Sequence, residues 1–220
     1  MATPTFPRWA TPVARISLAV LLFVPVAVPG LMMAWVRTGW STGEGRAPVQ
    51  PVDFDHRLHA GDFRIDCRYC HATAETGASA GVPPSEICVP CHDSAWLNGP
   101  KFAQVRRSLA TDRPIPWRRV NLLPDFVYFD HAAHTRHGIG CVSCHGRVDR
   151  MARVAQAAPL TMGWCLDCHQ HPQRHLRPRR EVTNMRWQPP ASAAEAAALR
   201  RELARRYHVE SPTSCVTCHR

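Results

Sequence analysis

The sequence has no cysteine to spare. All 10 of its cysteines fall in copies of one short pattern, C-x-x-C-H, so none remains for a disulfide framework or a thiol nucleophile. Lysine is nearly missing: Lys101 is the single one among 27 basic residues, the rest being arginine. Sustained apolar periodicity is missing as well. Beyond one N-terminal run, hydrophobic side chains seldom recur at helix or strand spacing, which excludes a domain held together by a conventional protein-only core. With 220 residues there is room for one or two domains.

The copies of the pattern are Cys67/Cys70 with His71, Cys88/Cys91 with His92, Cys141/Cys144 with His145, Cys165/Cys168 with His169, and Cys215/Cys218 with His219. C-x-x-C-H is the attachment signature of c-type haem. Two thiols at that spacing add to the two vinyl groups of the porphyrin. The histidine directly after them then lies under the ring as the proximal iron ligand. Zinc ribbons pair two C-x-x-C units and need no histidine after each second cysteine. Thioredoxin-like dithiols come singly, in a strand–helix context missing here. The sequence therefore predicts five haem c groups as cofactors, one for each motif.

A formal net charge of +10 at pH 7 resembles a nucleic-acid or membrane-surface signal. Each haem brings two propionates, so five of them offset most of that excess. Arginine's planar fork binds carboxylates in bidentate fashion, which suits propionates. Codon usage in a GC-rich genome also accounts for arginine over lysine. Nucleic acid is not an expected partner.

Residues 1–15 are short and basic, with Arg8 and Arg15 and no acid. Residues 16–36, ISLAVLLFVPVAVPGLMMAWV, follow without a charge. As a helix they span about 31 Å, the hydrocarbon thickness of a bilayer. Trp35 and Trp40 sit at interfacial positions, and Pro25 and Pro29 are tolerated in membrane helices. The run is long for a cleaved signal peptide and no A-x-A-like site follows it cleanly. The expectation is a retained anchor in a bacterial inner membrane. Arg8 and Arg15 place the N-terminus in the cytoplasm and the haem domain on the periplasmic face, where haem c is attached.

Residues 37–52 read as a linker rich in Gly, Pro and small polar residues. An internal repeat follows. Phe54-Asp55-His56-x-x-His59 precedes Cys67, and Phe129-Asp130-His131-x-x-His134 precedes Cys141. Each unit then continues to a second C-x-x-C-H, which describes a duplicated two-haem module, 53–92 and 127–169. The segment between them, 93–126, is proline-rich and extended, with a short helix around Phe102–Leu109. The remainder, 170–220, holds a Pro/Arg stretch, a helix over 191–207 with a Ser192/Glu195 capping box, and the fifth motif. Leu199, Leu203 and Tyr207 line one face of that helix. The fold class expected is mostly irregular with short α-helices, its core supplied by the haems, plus one N-terminal transmembrane helix. Burial of the porphyrins at ~25 cal/mol per Å² is the main stabilisation; the apo-chain is expected not to fold.

Eight histidines lie outside the motifs. Residues three apart on a helix share a face, so each H-x-x-H pair can reach two haems. The proposed distal ligands are His56, His59, His131 and His134. His137, His171, His175 and His208 are weaker candidates. Met185, in a polar setting that core packing explains poorly, is the proposed fifth, ahead of Met151, Met162 and His208. A His/Met site has a higher potential than a His/His site and suits the exit of electrons. No motif has lysine in place of its histidine, and the spare ligands are enough to close every iron. That favours electron transfer over substrate chemistry.

The F-x-H-x-x-H pattern with paired C-x-x-C-H motifs resembles the small cytochromes of the c3/c7 type. In wider context FDHRLHAGDFRIDCRYCH, PIPWRRVNLLPDFVYFDHAAH, GCVSCHGRVDRMARVAQAAPLTMGWCLDCH, EVTNM and CVTCHR are similar to the pentahaem subunit of alternative complex III. The resemblance implies a non-catalytic electron-transfer subunit of a quinol-oxidising complex, respiratory or photosynthetic. Its partners are then an iron–sulfur subunit, a polytopic quinol-binding subunit and a monohaem cytochrome, with electrons leaving to a periplasmic cytochrome or oxidase. Two rival functions are a stand-alone quinol dehydrogenase of the membrane-anchored tetrahaem type and a multihaem reductase with an open iron. The first has four haems and lacks the proline-rich insert.

Overall fold

The computed structural model describes residues 6–92 and 97–219. Residues 1–5 of the expected cytoplasmic segment, residues 93–96 of the connecting segment, and Arg220 lie outside the described residues. The chain divides into two compact units, 1–42 and 43–220.

The first unit is a 26-residue helix, Ala10–Trp35, followed by a single turn at Gly39–Thr42. It runs through Pro25 and Pro29 without a break, and none of its side chains is buried. At 1.5 Å per residue it is about 39 Å long. Among the described residues it is the one helix long and apolar enough to cross a membrane.

The second unit contains no strand among the described residues, only two isolated bridges, Val127 with His219 and Ile139 with Leu176. Its longest helix, Ala193–Arg206, has 14 residues. The Ser192 hydroxyl caps it by accepting from Glu195 N, one half of the capping box. Leu203 and Tyr207 from this helix close on Leu176, with Ile139 and Leu199 against them. Arg179 finishes this small core. Its backbone N–H donates to the Tyr207 hydroxyl (3.1 Å), and its guanidinium lies 4.3 Å from the ring centroid. Only nine apolar side chains are buried among the described residues.

Polar bonds do much of the remaining work. Gln156 is fully buried and joins three segments. Its Oε1 accepts from Leu122 N (3.0 Å), its Nε2 donates to Ala158 O, and its backbone pairs with Gly45 and Arg46. Gln50 bonds both backbone groups of Arg118, each at 2.9 Å, and Arg46 donates to Arg119 O. Residues 45–50 of the linker are therefore zipped to the proline-rich strip at 118–122. An unpaired buried amide is costly, so each bond in this group supports the others.

Candidate haem-binding sites

The repeated F-D-H-x-x-H units form two matching constructions. In the second, Asp130 caps the helix His131–Arg136, its carboxylate accepting from Ala133 N (3.1 Å). Phe129 stacks on His134 at 4.4 Å and 27°, and meets His131 edge-on at 4.8 Å. In the first, Asp55 accepts from Arg57 N and Leu58 N. Phe54 stacks on His59 at 4.2 Å and 26°, and meets His56 edge-on at 4.7 Å. The phenylalanine fixes both rings, and the aspartate starts the turn that carries them.

One difference separates the units. The first turn, Arg57–Asp62, is π-helical, whereas the second is α-helical. Eight residues carry the first chain from His59 to Cys67, against seven from His134 to Cys141. A π-turn absorbs one extra residue, so the insertion is taken up without moving the histidines relative to their phenylalanine.

Ring pairs span the sites. His59 faces His92 at 6.1 Å between centroids, His131 faces His145 at 6.3 Å and 8°, and His134 faces His169 at 6.1 Å. Two imidazoles bound to one metal from opposite sides, at about 2 Å each, hold their centroids roughly 6 Å apart. His56 stands within electrostatic reach of His71. Three of the four H-x-x-H histidines thus face three different proximal histidines, and His56 lies near a fourth.

In five of these histidines the tautomer agrees with metal binding. Nδ1 contacts a backbone carbonyl in His59 (Asp55, 2.8 Å), His71 (Gly81, 2.8 Å), His131 (Ala78, 2.8 Å), His134 (Asp130, 2.7 Å) and His169 (Pro212, 2.9 Å). A carbonyl only accepts, so Nδ1 carries the proton and Nε2 keeps the lone pair that a metal needs. His145 Nδ1 is met instead by the Asn121 side-chain amide at 3.1 Å. His56 Nδ1 is buried with no hydrogen-bond partner among the described residues. Burial holds His56 and His145 mostly neutral, each pulled down to about 4, with neighbouring histidines adding to the effect. Neutral imidazole is the ligating form.

The thiols lie along a path. Burial raises Cys70, which feels Cys67 and Cys91, and raises Cys144 to about 12 with Cys168 and Cys165 nearby. Cys67 is raised first by its hydrogen bond to Cys141, and Cys165 is raised by burial with Cys218 beside it. No group of three or more His, Cys, Asp or Glu forms a metal cage among the described residues. A zinc ribbon would need four convergent ligands. Phe63, Tyr69, Phe126 and Val216 flank the motifs as exposed apolar surface, the kind a porphyrin covers. The residues present fit covalently attached haem.

The fifth motif sits elsewhere in kind. Tyr128 N donates to Cys218 O (2.9 Å), and the Phe126 ring lies 5.7 Å from that of His219. Met185 belongs to a segment bonded to the first and third motifs: Thr183 donates to Asp66, Cys141 N donates to Val182 O, and Arg186 donates to Gly61 O. His137 caps its own helix through Ala133 O, and His208 takes a left-handed backbone.

Residues 127–220 match the family described as cytochrome c7 and related cytochrome c. This part of the chain is similar to c7-like multihaem domains, a class that carries covalently bound haem c. A relative in Nitratidesulfovibrio vulgaris (strain Hildenborough) is the multihaem cytochrome c subunit of a menaquinone reductase. It is 33% identical over 119 residues, 53% of this chain and 56% of the relative. The chain thus spans just over half the length of that relative.

Proposed function

We propose that this chain is a membrane-anchored pentahaem c-type cytochrome that relays electrons within a quinol-oxidising complex of the alternative complex III type. Ala10–Trp35 is the anchor, with the N-terminus cytoplasmic and residues beyond 42 in the periplasm. The observation that carries this reading is the facing of distal and proximal imidazoles at 6.1–6.3 Å. Rings so placed would hold an iron between them, and would leave no room there for a substrate ligand. Bound haem supplies a one-electron couple whose potential follows its axial ligands. The chain's part is to hold Nε2 in place, exclude water and set the spacing. Partners are an iron–sulfur subunit and a monohaem cytochrome, and the electrons leave to a periplasmic cytochrome or oxidase.

The test is made on the isolated holoprotein and the membrane complex together. Five haems per chain, a wholly low-spin spectrum and quinol oxidation by the complex alone are expected. Robust quinol oxidation by the isolated chain would overturn the relay assignment in favour of a stand-alone quinol dehydrogenase. A high-spin fraction that binds small ligands would point to a reductase.

The relative favours a second direction. It belongs to a menaquinone reductase, which implies electrons arriving through the haems and leaving to the quinone pool. Reduction of the haems by quinol in the membrane, blocked by quinol-site inhibitors, supports the oxidising direction; quinone reduction driven by a reduced periplasmic cytochrome supports the other.

The sequence proposes Met185 as the distal ligand of the fifth iron, whereas its segment is bonded to the first and third motifs through Thr183, Val182 and Arg186; a redox titration decides the assignment. Met185→Ala should remove one high-potential component from a redox titration. An unchanged titration rejects that assignment.

A further inference from the structure

The motifs do not meet in the order in which the sequence writes them. We infer that the five haem sites form one unbranched line, His92–His71–His145–His169–His219 by proximal histidine, so that the second and fifth motifs are its two ends. This rests on the pentahaem reading above and goes beyond it by fixing the path.

Four junctions carry the inference. The second and first sites meet at the π-turn, where His59 faces His92 while His56, one turn away, stands beside His71. The third and fourth meet at the helix His131–Arg136, where His131 faces His145 and His134 faces His169. The first and third meet on two shared strips. Cys67 Sγ lies 3.9 Å from Thr183 O while Cys141 N donates to Val182 O at 3.0 Å. His71 is held by Gly81 O and His131 by Ala78 O, three residues apart on one loop. The fourth and fifth meet at residues 211–215. Ser211 Oγ bonds His169 O, His169 Nδ1 bonds Pro212 O, and Cys215 begins the fifth motif directly after.

Both ends turn to protein. Beyond His92 lies the Phe102 ring at 4.9 Å, at the start of the connecting segment's helix. Beyond His219 lies Phe126. The two modules are therefore joined first haem to first haem, not tail to head. Each transfer along the line moves one electron, oxidising the donor site and reducing its neighbour. In the quinol-oxidising direction, quinol supplies the electrons at one end and an oxidised cytochrome takes them at the other. Partner docking belongs at the second and fifth motifs.

Ligand-switch variants in the purified holoprotein test this. His59→Met gives the second site His/Met ligation and raises its potential. Neighbouring haems sense each other's charge, so one other haem should shift its midpoint, and only one. His56→Met makes the same change at the first site, and two others should shift. Two shifted neighbours in His59→Met, or one in His56→Met, would overturn the order. Should either variant lose a haem, iron–iron distances in the wild-type holoprotein from electron cryomicroscopy decide, with the His92 iron near one other iron and the His71 iron near two. A haem count below five defeats the pentahaem reading itself; five haems in another order defeat only the line.

Discussion

Chain produced without haem attachment should remain unfolded, with little helical circular dichroism beyond Ala10–Trp35 and broad, unresolved amide resonances. The physical reason is the thinness of the protein core. The nine buried apolar side chains, at about 2 kcal/mol each, offset the ordering of roughly a dozen residues. Everything else in residues 43–219 needs another source of burial. The exposed Phe63, Tyr69, Phe126 and Val216 beside the motifs show where that burial belongs. Substituting the four cysteines Cys67, Cys70, Cys141 and Cys144 together by alanine should abolish the folded state even with the other motifs intact. Those thiols belong to the first and third motifs, which share the strip at 182–183: Cys67 Sγ lies 3.9 Å from Thr183 O and Cys141 N donates to Val182 O. A cooperative thermal transition in the apo-chain would refute the expectation.

Gly61→Ala should be among the most damaging single substitutions. A Cβ at this position would overlap the backbone carbonyl of Asp149, which cannot move aside as a flexible side chain could. Asp149 is itself fixed. Its nearly buried carboxylate accepts from Arg147 at 2.7 Å and pairs with Arg186 at 3.6 Å, and Arg186 in turn donates to Gly61 O. Arg147, the larger influence, and Arg186 hold the Asp149 carboxyl below its ordinary range. Its contribution is therefore present above the unfolded-state value and lost as pH falls through the lower folded one. The overpacking cost is about 1–3 kcal/mol, read as a lowered denaturation midpoint. Because His59 rides on the same turn, part of the haem should also become high-spin. Gly163→Ala is the control: its Cβ would meet no atom within 4 Å inside the helix Met162–Gln170, so it should be neutral or gain up to ~1 kcal/mol. Equal effects at the two positions would refute the account.

The C-x-x-C-H motifs stand out in the sequence because the chemistry they propose is local. Two thiols and a histidine must stand at one spacing whatever surrounds them. The H-x-x-H repeat was legible for the same reason, as was the helix over 191–207, which the structure has at Ala193–Arg206. Which histidine rings face each other was not legible, since His59 meets His92 and His134 meets His169 only through tertiary placement. The π-turn left a faint mark, the eight residues against seven before the first cysteine of each module. Asn121 and Gln156 left none. Both work from irregular stretches through side-chain hydrogen bonds, where no periodicity signals a role. The linker shows the limit of composition: Gly, Pro and small polar residues suggested flexibility, yet Arg46 and Gln50 bond the strip at 118–120.

In each of the three facing ring pairs the H-x-x-H histidine comes earlier in the chain than the motif histidine: His59 before His92, His131 before His145, and His134 before His169; His56 likewise precedes His71. If, as proposed, the chain beyond the anchor crosses the membrane in order of sequence while the N-terminus stays behind, each of these histidines is across before the motif it would complete emerges. No site has to wait with one axial face uncovered while downstream chain is exported. Assembly can then proceed as a ratchet, each completed site holding the segment that the next one builds on.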